Sequence, residues 1–199
     1  MAGAQTATEQ APAGGAARLD AFVADVNTLR AEFRQELWSA DHRLLQTDTG
    51  TLAIRRPNRF RWAYAEPTQL TVVADGEKLW IYDVELAQVT VAPLDSTVTS
   101  SPAMLLSGDR GVAEDFDVAR SYELEGLDWI KLVPRTPGSD FSSVLIGFRD
   151  ALPEKLELTD GLNQVTLIDL SNLVVNPAID DATFEFTPPK GVDVIGGEG

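Results

Sequence analysis

The spacing of hydrophobic and polar positions changes along this chain, and each change marks an element. From Arg18 to Asn27 the apolar residues Leu19, Phe22, Val23 and Val26 recur at helical spacing, with Asp20 and Asp25 off the stripe. That pattern predicts an amphipathic helix of about three turns, which needs a flat apolar surface to lie on. From Leu29 the period becomes two. Leu29, Ala31 and Phe33 alternate with Arg30, Glu32 and Arg34, giving a first strand to Trp38. A long second strand follows, best defined over Thr51–Arg55, with Gly50 as its expected bulge or bend.

The stretch Arg55-Arg56-Pro57-Asn58-Arg59-Phe60-Arg61-Trp62-Ala63-Tyr64 reads as a strand end, a turn at Pro57-Asn58, and a second alternating strand. Phe60, Trp62 and Tyr64 share one face, and Arg59 and Arg61 share the other. By parity Arg56 falls in line with Leu52 and Ile54, so it points toward the face its strand buries. A cation aimed at an apolar interior needs a partner.

Further on, Gln69–Ala74 and Glu77–Asp83 flank Asp75-Gly76, a strong hairpin signal in which both central residues are expected at positive φ. In the second of these strands Trp80 and Tyr82 alternate with Leu79 and Ile81, so both faces read as apolar. Leu86–Pro93 continues the strand pattern. It then stops at a short helical signal over residues 97–108. There Ser101 stands at the cap, Pro102 at the first helical position and Gly108 just past the end. Its body, Met104-Leu105-Leu106, is apolar around most of its circumference and so must be buried. Strands resume at Asp117–Leu124, Asp128–Pro134, Ser142–Arg149, Pro153–Thr159 and Gln164–Val175, with tight turns at Glu125-Gly126 and Asp160-Gly161. Ile179–Phe186 reads as a turn into a short last strand.

About eleven consecutive antiparallel strands with two short helices predict a mainly β fold, an unclosed barrel or strongly curved sheet with a helical lid. Residues 1–17, rich in Ala, Gly, Gln and Thr, are expected to be disordered, and residues 18–199 to form a single domain. The N-terminus shows neither the basic start nor the apolar run of a secretory signal. That leaves two readings: a cytosolic protein with a loose tail, or an exported one whose signal has been removed.

Composition narrows the functional classes. The chain has 199 residues, 16 Lys and Arg against 31 Asp and Glu, and a net charge of −15. Such an excess of acid argues against nucleic acid and against adsorption to anionic membranes. No cysteine is present, so disulfides and thiolate-bound metals are out. The single histidine, His42, sits among polar neighbours near a turn and marks neither a metal site nor a catalytic triad. No spacing of carboxylates marks an acid–base pair, and no glycine loop marks a phosphate site. The sequence therefore predicts no enzyme, no cofactor and no metal.

Several landmarks resemble the LolA family of periplasmic outer-membrane lipoprotein carriers. They are Arg56-Pro57-Asn58-Arg59-Phe60-Arg61-Trp62, Asp75-Gly76-Glu77-Lys78-Leu79-Trp80-Ile81-Tyr82, Pro102-Ala103-Met104-Leu105-Leu106 and the terminal Phe184-Glu185-Phe186-Thr187-Pro188-Pro189-Lys190-Gly191-Val192-Asp193. The resemblance implies an unclosed barrel under a helical lid, with transport and no bond chemistry. Triacylated lipoproteins would be taken from an inner-membrane ABC-type release complex, carried through the periplasm by a monomer and handed to an outer-membrane receptor. It implies a lid-closing role through hydrogen bonds to lid backbone for Arg56, which the residues alone also allow as a surface arginine at a hairpin end. It turns Phe60 and Trp62, with Tyr64, Leu52 and Ile54, from plain core toward an acyl-chain cavity. The lid would be Leu19, Phe22, Val23 and Val26 with Met104, Leu105 and Leu106. Two relatives of the same scaffold stand as alternatives. One is a periplasmic lipid-binding or signal-sensing domain that does not shuttle lipoproteins. The other is the receptor itself, which the lack of an N-terminal cysteine disfavours.

Overall fold

The two long alternating runs on either side of residues 39–43 form the spine of one sheet. The computed structural model describes residues 8–10, 12–65, 67–94, 102–108, 115–136 and 139–196. β1 (Thr8–Gln10) precedes helix α1 (Pro12–Asp25), and then come β2 (Thr28–Trp38), β3 (Leu44–Arg55) and β4 (Arg59–Tyr64). β5 (Leu70–Asp75), β6 (Lys78–Asp83) and β7 (Gln88–Pro93) complete this half, and α2 (Pro102–Ser107) follows. The second half is β8 (Phe116–Leu124), β9 (Leu127–Pro134), β10 (Phe141–Arg149), β11 (Leu152–Asp160) and β12 (Val165–Val175). A 3-10 turn at Asp181–Phe184 leads to β13 (Asp193–Gly196).

Among the described residues all thirteen strands make one unclosed sheet in the order β1-β8-β9-β10-β11-β12-β2-β3-β4-β5-β6-β7-β13. Every pairing is antiparallel except β13 on β7. The mainly β, unclosed architecture is as expected, but the sequence pattern predicted only about eleven strands. The two it lacked are the edge strands, β1 on β8 and β13 on β7. They are three and four residues long, too short for alternation to register. β1 and the first turns of α1 also fall in the stretch expected to be disordered.

Alternation sets the burial. Leu29, Ala31 and Phe33 of β2, Leu52 and Ile54 of β3, and Phe60 and Trp62 of β4 turn to one face and join one apolar cluster. Val144, Ile146 and Phe148 of β10, Leu156 and Leu158 of β11, and Ile168 and Leu170 of β12 join the same cluster, as do both helices. α1 packs on β8 and β9 and α2 on β3 and β4, two strand pairs with β10, β11, β12 and β2 between them in the strand order. One shared core across that distance requires the sheet to curl around the helices.

Local details correct several expectations. Gly50 is no bulge: the β2–β3 ladder runs regularly through Phe33 opposite Gly50. A Cβ there would collide with the Ala63 carbonyl oxygen and come within 2.7 Å of the Phe33 ring, so the residue is small to admit its neighbours. At Asp75-Gly76 only Gly76 has positive φ. The Asp75 carboxylate instead accepts from the amides of Glu77 and Lys78, at 2.9 and 2.8 Å. The turn at Glu125-Gly126 does place both residues at positive φ, 55 and 72°. Ser101, expected to cap α2, lies outside the described residues.

Trp80 and Tyr82 are placed too. Leu79 and Ile81 face the core, and Phe186 covers Trp80 and Tyr82 from outside, with ring centroids 5.7 and 5.8 Å away. Ile179–Phe186 is therefore an outer strap rather than a strand. Its Phe184 is buried beneath the Arg55 guanidinium, and Arg55 also bonds the Asp181 carboxylate and the Ile179 carbonyl.

Candidate functional site: an arginine between two helices

Arg55 ends β3 and Arg56 follows it, the two side chains taking opposite faces. Arg55 holds the strap outside, and Arg56 turns inward as its parity with Leu52 and Ile54 requires. Arg56 Nε donates to the Val26 carbonyl at 2.8 Å and Nη1 to the Gly108 carbonyl at 3.0 Å. Val26 lies one residue past α1 and Gly108 one past α2, so a single side chain joins the ends of both helices. The guanidinium also stands 5.0 Å from the centroid of the Phe22 ring. Its remaining nitrogen, Nη2, is buried without a hydrogen-bond partner. Burial lowers the Arg56 pKa to about 10, still far above neutrality, so the cation persists. The turn beside it adds a backbone bond from Asn58 N to the Ser107 carbonyl, 3.0 Å.

Above this joint the sheet presents its aromatics. Phe60 and Trp62 are buried at 0 and 2% exposure, and Tyr64 is half-buried against the same cluster. Phe33 of β2 packs on Trp62 at 4.5 Å and edge-on to Tyr64 at 5.1 Å. The Tyr64 hydroxyl donates to Gln35 Oε1 at 3.1 Å. Burial, aided by the nearby Asp48 charge, pushes its pKa up to about 12 against the Gln35 hydrogen bond. Asp48 is itself buried and accepts from Gln46 and Thr68, so a polar cluster bounds the apolar floor at this end.

Both helices turn apolar side chains into the same cluster. Leu19, Phe22 and Val26 are buried, Val23 packs half-buried beside them, and Met104, Leu105 and Leu106 are buried from α2. Phe22 meets Phe148 of β10 edge-on at 6.0 Å. Phe33 and Phe148 belong to the same buried cluster and were not among the site residues read from the sequence. Both share parity with buried neighbours on their strands, and that signal was available. An open cleft of about 540 Å³ lies at the hairpin end, lined by Arg55, Arg56, Pro57, Asn58, Arg59, Asp75, Gly76 and Glu77. Among the described residues no group of three or more His, Cys, Asp or Glu side chains is placed to hold a metal ion. None of the described helices is long and apolar enough to cross a membrane.

The buried face of the sheet and the apolar sides of both helices thus form one continuous cluster. Over residues 24–187 the sequence matches the family model described as outer membrane lipoprotein carrier protein LolA. It is 42% identical over 186 residues to the outer-membrane lipoprotein carrier protein of Dechloromonas aromatica, covering 94% of this chain and 89% of that one. To the protein of the same name from Halorhodospira halophila it is 41% identical over 189 residues, covering 94 and 88%. In fold it is similar to a LolA superfamily protein from Nitrosomonas europaea, with a TM-score of 0.54 and 11% identity over 85% of this chain and 96% of that one. An uncharacterised conserved protein from Thermus thermophilus gives a TM-score of 0.55 and 14% identity over 93 and 99%.

Proposed function

Because the chain belongs to the LolA family and is an outer-membrane lipoprotein carrier, we propose that it loads cargo by exchanging its own helices for acyl chains. The acyl chains would lie on Leu52, Ile54, Phe60, Trp62 and Tyr64. α1 and α2 form the lid, and Arg56 latches it. The observation that carries this reading is the pair of hydrogen bonds from one guanidinium to the backbone just beyond each helix. A residue serving the core alone would have no reason to tie the two helix ends together.

The physical need is a balance. Each buried methylene is worth about 0.8 kcal/mol, so three acyl chains do not cross water unaided at a useful rate. A carrier that only bound them would never release them. Lid side chains that rebury themselves on unloading return part of that free energy, so acceptance and release stay close in energy. Phe22, Val23 and Met104 are suited to this: two pack on residues of other elements, and the thioether adapts to chains of different shape. The latch is incompletely satisfied, since Nη2 finds no acceptor, which keeps closure from becoming too favourable.

In this reading the protein works in the periplasm as a monomer. It receives triacylated lipoproteins from an inner-membrane ABC-type release complex and delivers them to an outer-membrane receptor. The test is Arg56→Leu in a two-step assay: release of lipoprotein from inner-membrane vesicles, then transfer to the receptor. The variant should fold and accept cargo but pass it on slowly or not at all. Native transfer would remove Arg56 from the mechanism, and failure of the native protein to release lipoprotein would sink the carrier cycle as drawn.

A further inference from the structure

The short link from α1 to β2 is held from an unexpected direction. Asn176, immediately after β12, reaches it with both ends of its amide. Its Oδ1 accepts from the backbone amides of Asn27 at 2.8 Å and Thr28 at 3.2 Å. Its Nδ2 donates to the carbonyl of Asp25, the last residue of α1, at 3.0 Å. The Asn176 backbone amide donates to the Thr28 carbonyl at 2.8 Å, and Thr28 Oγ1 donates to the Pro177 carbonyl at 2.7 Å. From the other side Arg56 takes the Val26 carbonyl through Nε and the Asn27 carbonyl through its own amide, at 2.8 Å each. The carbonyls of Asp25, Val26, Asn27 and Thr28 are thus all accounted for by two residues, Asn176 and Arg56. These include carbonyls that a helix end leaves without an intrahelical partner.

We infer that Asn176 is a positioning residue for lipoprotein transfer, a clamp that fixes the pivot of α1 so that its swing brings Val26 back within reach of Arg56. The inference rests on the reading of α1 as a lid. A lid that swings must keep one end fixed, and this link is where α1 joins the sheet. Asn176 suits the place for two reasons. Its amide carries donor and acceptor together, as the two sides of the link demand. Its φ of 53° lies in the left-handed region that Asn tolerates better than most residues. Its neighbours also connect the clamp to the strap, because Ile179, three residues on, is bonded by Arg55.

Amide hydrogen exchange of the cargo-free full chain tests this directly, run beside the two-step transfer assay. Asn176→Gly removes the side chain without imposing strain at positive φ. It should speed exchange of the α1 amides by about tenfold or more, leave α2 and β4 unchanged, and slow transfer without preventing acceptance. Asn176→Asp keeps the acceptor for Asn27 and Thr28 but loses the donor to Asp25, and should fall between glycine and the native residue. With Arg56→Leu added, the glycine change should add less than it does alone, because both residues restrain the same link. Native exchange in α1, or equal acceleration in α1, α2 and the sheet, would overturn the clamp. Normal transfer by Asn176→Gly alone would overturn it too while leaving the lid reading standing. Normal transfer by Arg56→Leu as well would remove the lid reading itself, and this inference with it.

Discussion

Replacing Phe22 by alanine separates a lid residue from a core residue. Phe22 is 2% exposed, meets the Phe148 ring at 6.0 Å and lies 5.0 Å from the Arg56 guanidinium. Truncating a buried Phe costs about 3–5 kcal/mol, and losing the contact with the buried cation adds about 1–2 kcal/mol. For a domain of this size about 3 kcal/mol corresponds to a fall of roughly 6–12 °C in the Tm of the empty protein. On the proposed cycle α1 lifts in the loaded protein, and Phe22 then no longer fills the space between Phe148 and Arg56. There the same substitution should cost under about 1 kcal/mol. The thermodynamic cycle then requires the variant to bind cargo more tightly by about 2 kcal/mol, roughly thirtyfold. That gain is capped by the free energy of lifting the lid, so the measured factor also sets a lower bound on that quantity. The assay is thermal unfolding with and without a synthetic triacylated lipopeptide, together with titration of the lipopeptide. An equal loss of Tm in both conditions, with unchanged affinity, would show that Phe22 stays buried against Phe148 when cargo is bound. α1 would then be core.

Three further outcomes are expected. Gly50→Ala drives a Cβ toward the Ala63 carbonyl oxygen and to within 2.7 Å of the Phe33 ring, and should destabilise by about 3 kcal/mol; an unchanged urea midpoint would contradict it. With Trp38, Trp80 and Trp129 replaced by Phe, the fluorescence of Trp62 should change as a lipopeptide enters, and no change at proven saturation would place Trp62 away from the cargo. The Tyr64 pKa is raised from 10.0 to about 12 by burial, so the fold favours its neutral form. The stability this contributes is complete below pH 10 and is lost as pH rises from there toward 12. Between pH 9 and 11 the native protein should therefore lose about 1 kcal/mol more than Tyr64→Phe, measured by urea unfolding; parallel losses would refute it.

The inward turn of Arg56 was legible because strand parity is a property of the backbone alone. The same rule sorted Phe60, Trp62 and Tyr64 from Arg59 and Arg61, and helical spacing found Leu19, Phe22, Val23 and Val26. Parity says which face a side chain takes but not what waits there. The acceptors of Arg56 lie 30 and 52 residues away in sequence, and no local pattern indicates them. Asn176 was silent for the same reason, since the amides it holds are 148 and 149 residues distant. Gly50 was misread because a glycine inside a strand signals either a bulge or a close approach, and only the position of Phe33 and Ala63 decides between them. The strap was misread because Phe184 and Phe186 alternate as a strand would, although each reaches its own aromatic or cationic partner on the outer face.

An unclosed barrel has two raw edges, and here each is hemmed by a scrap of chain drawn from the opposite terminus. β1 lies along part of the nine residues of β8, and β13 along the six of β7. Deleting both would leave two rows of unpaired amides and carbonyls at the far ends of a single curled sheet. Edges so placed join one molecule to the next without ever closing a ring, so the product would be a growing filament rather than a dimer. The solubility of a carrier for greasy cargo would then fail first at its hems, through main-chain polarity and far from any acyl chain.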